Sequence, residues 1–356
     1  MELYKSGVAY AAGSLMLQWS IMKNRIHGNP GDTVHVFINF ESILRNLSMQ
    51  KHLHDLVNFH KQKMVLDIEA SILNLVANYR MYFLKEKCVP KIYLYHTSLN
   101  KTTQQMYVYN KYYRNYYFNR YLQNPQFRDV GKVMVDTVIP DIKLILSYVQ
   151  NCYFVESDTY DGSIIPSIIT KPTQDPAVII TADVFDTMYL FNPSFQVLYI
   201  KSRYPELLLA SSIEECVRYI IKEEDVFDLA LFNAELYYRL LISVKGSQIR
   251  NIKSARSFGY GKFIKAIKAG IDKQIVLKDF SAISSIIEIF PEKYRDDIRS
   301  AFLCSGIDTQ YDMLSKSDID KVFDQLIDRI DPESIEALNN QRFLDFPINI
   351  QGLIYT

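Results

Sequence analysis

Ala177-Val-Ile-Ile-Thr181-Ala-Asp183-Val-Phe-Asp186-Thr187 decides how this chain reads. A charge-free run rich in β-branched residues ends in two aspartates three positions apart. Short apolar runs of this kind mark strands buried on both faces of a parallel sheet. Two more stretches share the form: Val-His-Val-Phe-Ile-Asn-Phe at 34–40 and Tyr-Phe-Val-Glu-Ser-Asp-Thr-Tyr-Asp at 153–161. In a parallel sheet the strand C-termini converge on one edge. Glu156, Asp158, Asp183 and Asp186 then lie just past strand ends, and Asn39 closes the first strand. Gathered carboxylates repel unless a cation sits between them, and Mg²⁺ prefers oxygen ligands. Metal-assisted phosphodiester hydrolysis uses such a set, because the ion polarises the phosphoryl oxygen and activates a bound water. An Asp after a strand also caps the helix that follows, and that plainer role stays open for each of these residues.

Outward from these runs, strands are expected at about 33–40, 91–95, 152–156, 177–182 and 196–200. Apolar positions at intervals of three and four predict helix over 48–86 and again over 137–151. Pro166 limits where the helix after Asp158 starts. From about 205 onward the pattern is helical, with breaks at Gly246, Gly259–Gly261, Pro291 and Pro332. Strands alternating with helices predict an α/β fold, a twisted parallel sheet flanked by helices, followed by a helical C-terminal half. No flexible linker separates the two halves, so one compact body is expected.

The 356 residues carry 40 basic and 40 acidic side chains and are 48% hydrophobic. That is enough for a full core. A zero net charge argues against a general polyanion binder but leaves room for local patches. Cys88, Cys152, Cys216 and Cys304 show no metal-binding spacing, which predicts free thiols in a reducing compartment. His52, His54 and His60 are not at zinc spacing either. Residues 6–22 carry no charge, but they are too short and too polar to span a membrane. They also lack a basic leader. An N-terminal amphipathic helix and a soluble protein of the cytoplasm, or of a host cell's cytoplasm, are expected. The abundance of Tyr, Phe, Ile, Asn and Lys resembles that of AT-rich genomes, phages among them, so a phage-encoded, virion-associated protein is included.

Two segments concentrate positive charge. Residues 236–271 hold Arg239, Lys245, Arg250, Lys253, Arg256, Lys262, Lys265 and Lys268 with no acid among them. Within them Ser257-Phe-Gly259-Tyr-Gly261-Lys262 leads into a helical pattern. A glycine turn opening a helix offers backbone N–H groups to a phosphate, and nearby lysines add Coulomb attraction. The alternative is a solvated basic face. Residues 87–128 hold seven Lys or Arg and no Asp or Glu. There Tyr109 and Tyr112 lie among Lys111, Arg114 and Arg120. Aromatic faces stack on unpaired bases while cations hold the phosphates; the alternative is that these tyrosines are core or protein-contact residues.

In this order the pieces resemble the flap endonuclease and 5′-to-3′ exonuclease family of the PIN-like superfamily, over roughly 33–270. The resemblance implies a PIN-like core over 31–205, behind an N-terminal helical extension at 1–30. A helix-three-turn-helix region with a helix-hairpin-helix element follows over 206–275, and a helical region at 276–356 packs on the core. It places metal ligands at Asn39, Glu156, Asp158, Asp183 and Asp186, with Mg²⁺ or Mn²⁺ as cofactor. It gives Lys111 and Arg114 the catalytic role on the scissile phosphate. DNA contacts fall to Tyr109, Tyr112, Arg250, Lys253, Arg256, Gly259, Gly261 and Lys262. The chain departs from the family where it matters for metal. Asn39 stands where strand one ends in Asp, and Thr159, Ser247 and Arg250 stand at acids that hold the second ion. A cation about 4 Å from Arg250 would cost roughly 4 kcal/mol per unit charge at an effective dielectric of 20. The resemblance therefore implies binding of single-stranded or forked DNA with cleavage weakened or lost. An active one-metal 5′ nuclease, and a structural protein that reuses the fold and meets protein partners through its N-terminal helix and tyrosine-rich segment, are the other two readings.

Overall fold

The structure, a computed structural model, describes residues 31–43, 60–97, 133–157, 160–201, 204–208, 234–246, 255, 258–272, 286–306, 311–312 and 314–327. Six strands form one sheet: β1 (Thr33–Asn39), β2 (Val89–Thr97), β3 (Cys152–Ser157), β4 (Ala177–Thr181), β5 (Phe195–Lys201) and β6 (Tyr204–Leu208). Their spatial order is β3-β2-β1-β4-β5-β6. The first five are parallel; β6 folds back antiparallel onto β5. The expected α/β sheet is present. The helical reading from 205 onward is corrected at its start, where Tyr-Pro-Glu-Leu-Leu forms an edge strand. Proline is tolerated there because an edge strand leaves one row of N–H groups unpaired.

The two faces of the sheet carry separate cores. Val34, Val36, Ile38, Ile92, Leu94, Cys152, Phe154, Val178 and Ile180 belong to a cluster with α1 (Lys61–Lys85) and α2 (Ile139–Leu146). Phe37, Tyr93, Tyr95, Tyr153, Val155, Ile179 and Val197 belong to the other. That second core includes α3 (Ile165–Thr170), α4 (Ala234–Lys245), α5 (Tyr260–Asp272) and α6 (Glu292–Cys304), with Val322 of α7 (Lys316–Phe323). The five parallel strands alternate between the two, as period-two side-chain geometry requires. Burial on both faces is why they read as continuous apolar runs. The C-terminal helices thus share a core with the sheet.

Short 3-10 helices replace full helices after two strands. Asp161 caps Gly162–Ile164 through Ser163 N–H at 2.9 Å, and Pro166 then opens α3. The 3-10 turn presses closely on β2: a Cβ on Gly162 would lie 2.6 Å from the His96 carbonyl carbon. Asp183 likewise caps Val184–Phe191. Cys88 and Cys152 are buried free thiols, and His35 and His96 are buried, packed histidines. Among the described residues no helix is long and apolar enough to cross a membrane.

Candidate functional site

The chain reverses its direction of winding between β1 and β4, and open α/β sheets place their ligand crevices at the strand C-termini beside such a switch point. Asn39 ends β1 there and Thr181 ends β4. Asn39 pairs in register with Tyr95 of β2, so both side chains point to the second core. Asp186 reaches that spot from the 3-10 helix and is fully buried. Its Oδ2 accepts three hydrogen bonds: from Asn39 Nδ2 at 2.7 Å, Thr181 Oγ1 at 2.7 Å and the Tyr95 hydroxyl at 2.8 Å.

The proton positions follow from the surroundings. Asn39 Oδ1 accepts the Ser42 backbone N–H at 3.0 Å, which fixes the amide with its NH₂ toward Asp186. Thr181 Oγ1 accepts the Asp183 N–H at 2.9 Å and so turns its own hydrogen to Asp186. Ser42 Oγ in turn accepts the Ala182 N–H at 2.8 Å, tying the ends of β1 and β4 together. Donor hydrogens therefore surround the carboxylate oxygen where a cation would need lone pairs. The donors at this position do not fit the implied divalent ion.

Asp183 is buried, with Oδ1 on the Phe185 N–H at 3.0 Å; it performs the capping role that remained open in the sequence. Glu156 stands apart from both aspartates. It pairs in register with His96 on β2, and both project to the face carrying α1 and α2. Lys143 of α2 donates to Glu156 Oε2. The Glu156 backbone N–H and C=O are both taken by the side-chain amide of Gln325, at 2.9 and 3.0 Å. Thus Asn39 and Asp186 touch, Asp183 lies on the same turn, and Glu156 faces the opposite layer. Among the described residues no three His, Cys, Asp or Glu side chains form a metal-holding group. Asp158, Tyr109, Lys111, Tyr112, Arg114, Arg250, Lys253 and Arg256 lie outside the described residues.

His96 is buried, and neither ring nitrogen has a hydrogen-bond partner; Nδ1 is 3.9 Å from Glu156 Oε1. Burial drives its pKa down to about 4, against the raising influence of Glu156. Sequence reasoning missed Tyr95, Ser42, Lys143, His96 and Gln325 as parts of this edge. Register could have found Tyr95, since parallel neighbours in register share a face; no local signal announces Lys143 or Gln325.

A separate basic surface opens at α5. Gly259 and Gly261 are exposed, with nothing within 4 Å of an added Cβ. Lys262, Lys265 and Lys268 are exposed along the helix, while Phe263 and Ile267 are buried in the second core. The helical pattern expected after this glycine pair is present as α5. No protein-family model matches the chain, and no curated protein matches it. Fold and site define an α/β protein with a hydrogen-bonded carboxylate at its switch point and a lysine-lined helix start.

Proposed function

We propose that this chain is a flap endonuclease-like protein of the PIN-like type. It binds single-stranded or forked DNA through a basic face, and its metal-dependent phosphodiester cleavage is weakened or lost. The observation that carries this reading is the hydrogen bond from Asn39 to Asp186. At the strand-one position where the family has a metal-binding Asp, an amide now satisfies the neighbouring carboxylate. A buried carboxylate needs partners, and here protein donors provide them.

Retention of the binding half is supported by α5. Its first turn is open to solvent at Gly259 and Gly261, and three exposed lysines follow within two turns. A helix start together with lysines suits a phosphodiester backbone, read by charge rather than by base. The helix-hairpin-helix assignment of 257–262 and the roles of Lys111, Arg114, Tyr109 and Tyr112 belong to this proposal.

The test is fluorescence anisotropy of the full chain with a labelled 5′-flap DNA across a salt series, paired with a cleavage assay in Mn²⁺. Binding that weakens linearly in log salt, with no cleavage, is expected. Absence of binding at low salt would reject the DNA reading. Cleavage lost in Asp183→Ala would establish an active one-metal nuclease instead.

A further inference from the structure

We propose that His35 is an acid-released latch: while neutral, it fastens the turn before β4 to the N-terminal edge of the sheet, and on taking up a proton it lets that turn open to water. The latch lies toward the opposite end of the strands from the carboxylate at the switch point and is independent of the DNA reading.

His35 holds the turn twice. Its backbone N–H donates to the Pro176 carbonyl at 2.9 Å, and its Nε2 lies 3.2 Å from Asp175 Oδ2. Residues 171–174 of the turn are exposed. Gln174 sits in the left-handed region at φ 56°, a conformation that costs an ordinary residue roughly 1 kcal/mol. A turn that carries this strain relaxes when its anchor is lost. Lys171, on the same turn, places its Nζ 3.5 Å from the centre of the Tyr311 ring. An opened turn therefore also loosens a contact with the C-terminal half.

The imidazole is 3% exposed and stacks on Phe37 and Tyr93, with ring centres 6.0 and 5.6 Å away. An ionised Asp175 can only accept, so Nε2 carries the hydrogen. Nδ1 then accepts from the Tyr93 hydroxyl at 2.9 Å. A second proton has to enter at Nδ1, where Tyr93 already points its hydrogen. Protonation thus breaks that bond and leaves a charge in the core. Burial lowers the proton affinity of His35, against the raising influence of Asp175 from the turn; Lys91 of β2 lowers it further. An opened turn hydrates the ring and returns it to the ordinary histidine value near 6.5. Protons therefore favour the open form. The latch is complete above pH 6.5 and weakens as pH falls.

Hydrogen–deuterium exchange of the full chain, read by mass spectrometry at pH 7 and pH 5 and corrected for the intrinsic rate at each pH, tests this. Protection over 171–177 should fall about five-fold or more from pH 7 to pH 5. His35→Phe should show equal protection at the two pH values, and His96→Phe should keep the wild-type fall. Unchanged protection in wild type would overturn the inference, as would a fall that persists in His35→Phe or disappears in His96→Phe. If His35→Phe does not fold, nitrogen-15 NMR of the wild-type histidines decides. His35 should be the Nε2–H tautomer at pH 7 and should titrate below pH 6.5. The Nδ1–H tautomer, or titration at or above pH 6.5, would overturn it.

Discussion

Asn39 gives its side-chain amide hydrogen to Asp186 over 2.7 Å, across 147 residues of sequence. The contact joins β1 to the turn after β4 at the point where the sheet changes winding direction. Because Ser42 holds the other end of the amide, Asn39 has one orientation there.

Asn39→Asp puts a second carboxylate against Asp186 in a site with almost no solvent. Like charges about 4 Å apart cost roughly 4 kcal/mol even at a screened dielectric of 20. Urea unfolding in EDTA should show a loss of about 3 kcal/mol or more, and Mn²⁺ should restore part of it. Addition of Arg250→Asp should raise Mn²⁺ affinity further. No gain from the double variant would count against the placement of these two positions.

Three glycines divide by what surrounds them. Gly162→Ala drives a Cβ to within 2.8 Å of three backbone atoms of His96 and Thr97, which cannot swing aside. A loss of about 2 kcal/mol or more is expected from such overpacking. Gly261→Ala meets nothing within 4 Å and lies inside α5. It should be neutral or stabilise by up to about 1 kcal/mol from helix propensity. If the helix start holds a phosphate, Gly259→Ala and Gly261→Ala should lower DNA affinity without lowering the melting temperature.

Acid should destabilise the protein through His96. An unfolded histidine takes up its proton near pH 6.5, whereas in the fold burial holds the pKa near 4. Below pH 6.5 the unfolded state binds more protons, so stability falls as pH drops from 6.5 toward 4. The contribution is complete above pH 6.5, and about 2 kcal/mol of it is gone at pH 5. Denaturant midpoints at pH 7 and pH 5 measure this, and His96→Phe should shrink the difference.

Arg239 is buried, and its guanidinium closes the end of α6. Nε and Nη2 both donate to the Phe302 carbonyl, at 3.1 and 2.9 Å, and Nε also reaches Ser305 Oγ at 3.1 Å. The group stacks 4.0 Å over the Phe302 ring. Arg239→Lys keeps the charge but loses the planar fork. A cost of about 2 kcal/mol in calorimetry is expected, with DNA binding intact at temperatures where the variant is folded.

The sheet was legible because its strands are buried on both sides. Val34 to Phe40, Tyr153 to Val155 and Ala177 to Thr181 show it as apolar runs. The edge strand Tyr204–Leu208 was not, since Pro205 and Glu206 disguise a segment with one partner. Asn39 and Asp186 were legible as strand-end groups, but not their bond, which depends on the 3-10 turn at Val184 swinging Asp186 inward. That Glu156 faces the opposite layer was hidden too. Which side a strand-end residue takes depends on inter-strand register, and register is a property of packing rather than of local sequence.

Gln325 completes the outer border of β3 by imitating one peptide unit of a neighbouring strand, from 169 positions downstream of Glu156. The side chain that covers this flank is translated 169 positions after Glu156, so nearly half the polypeptide must follow before the flank can close. Until then the outward N–H and C=O of Glu156 are available to another nascent chain. Slowing translation before codon 325 should increase aggregation of this protein, and the effect should be concentrated at β3.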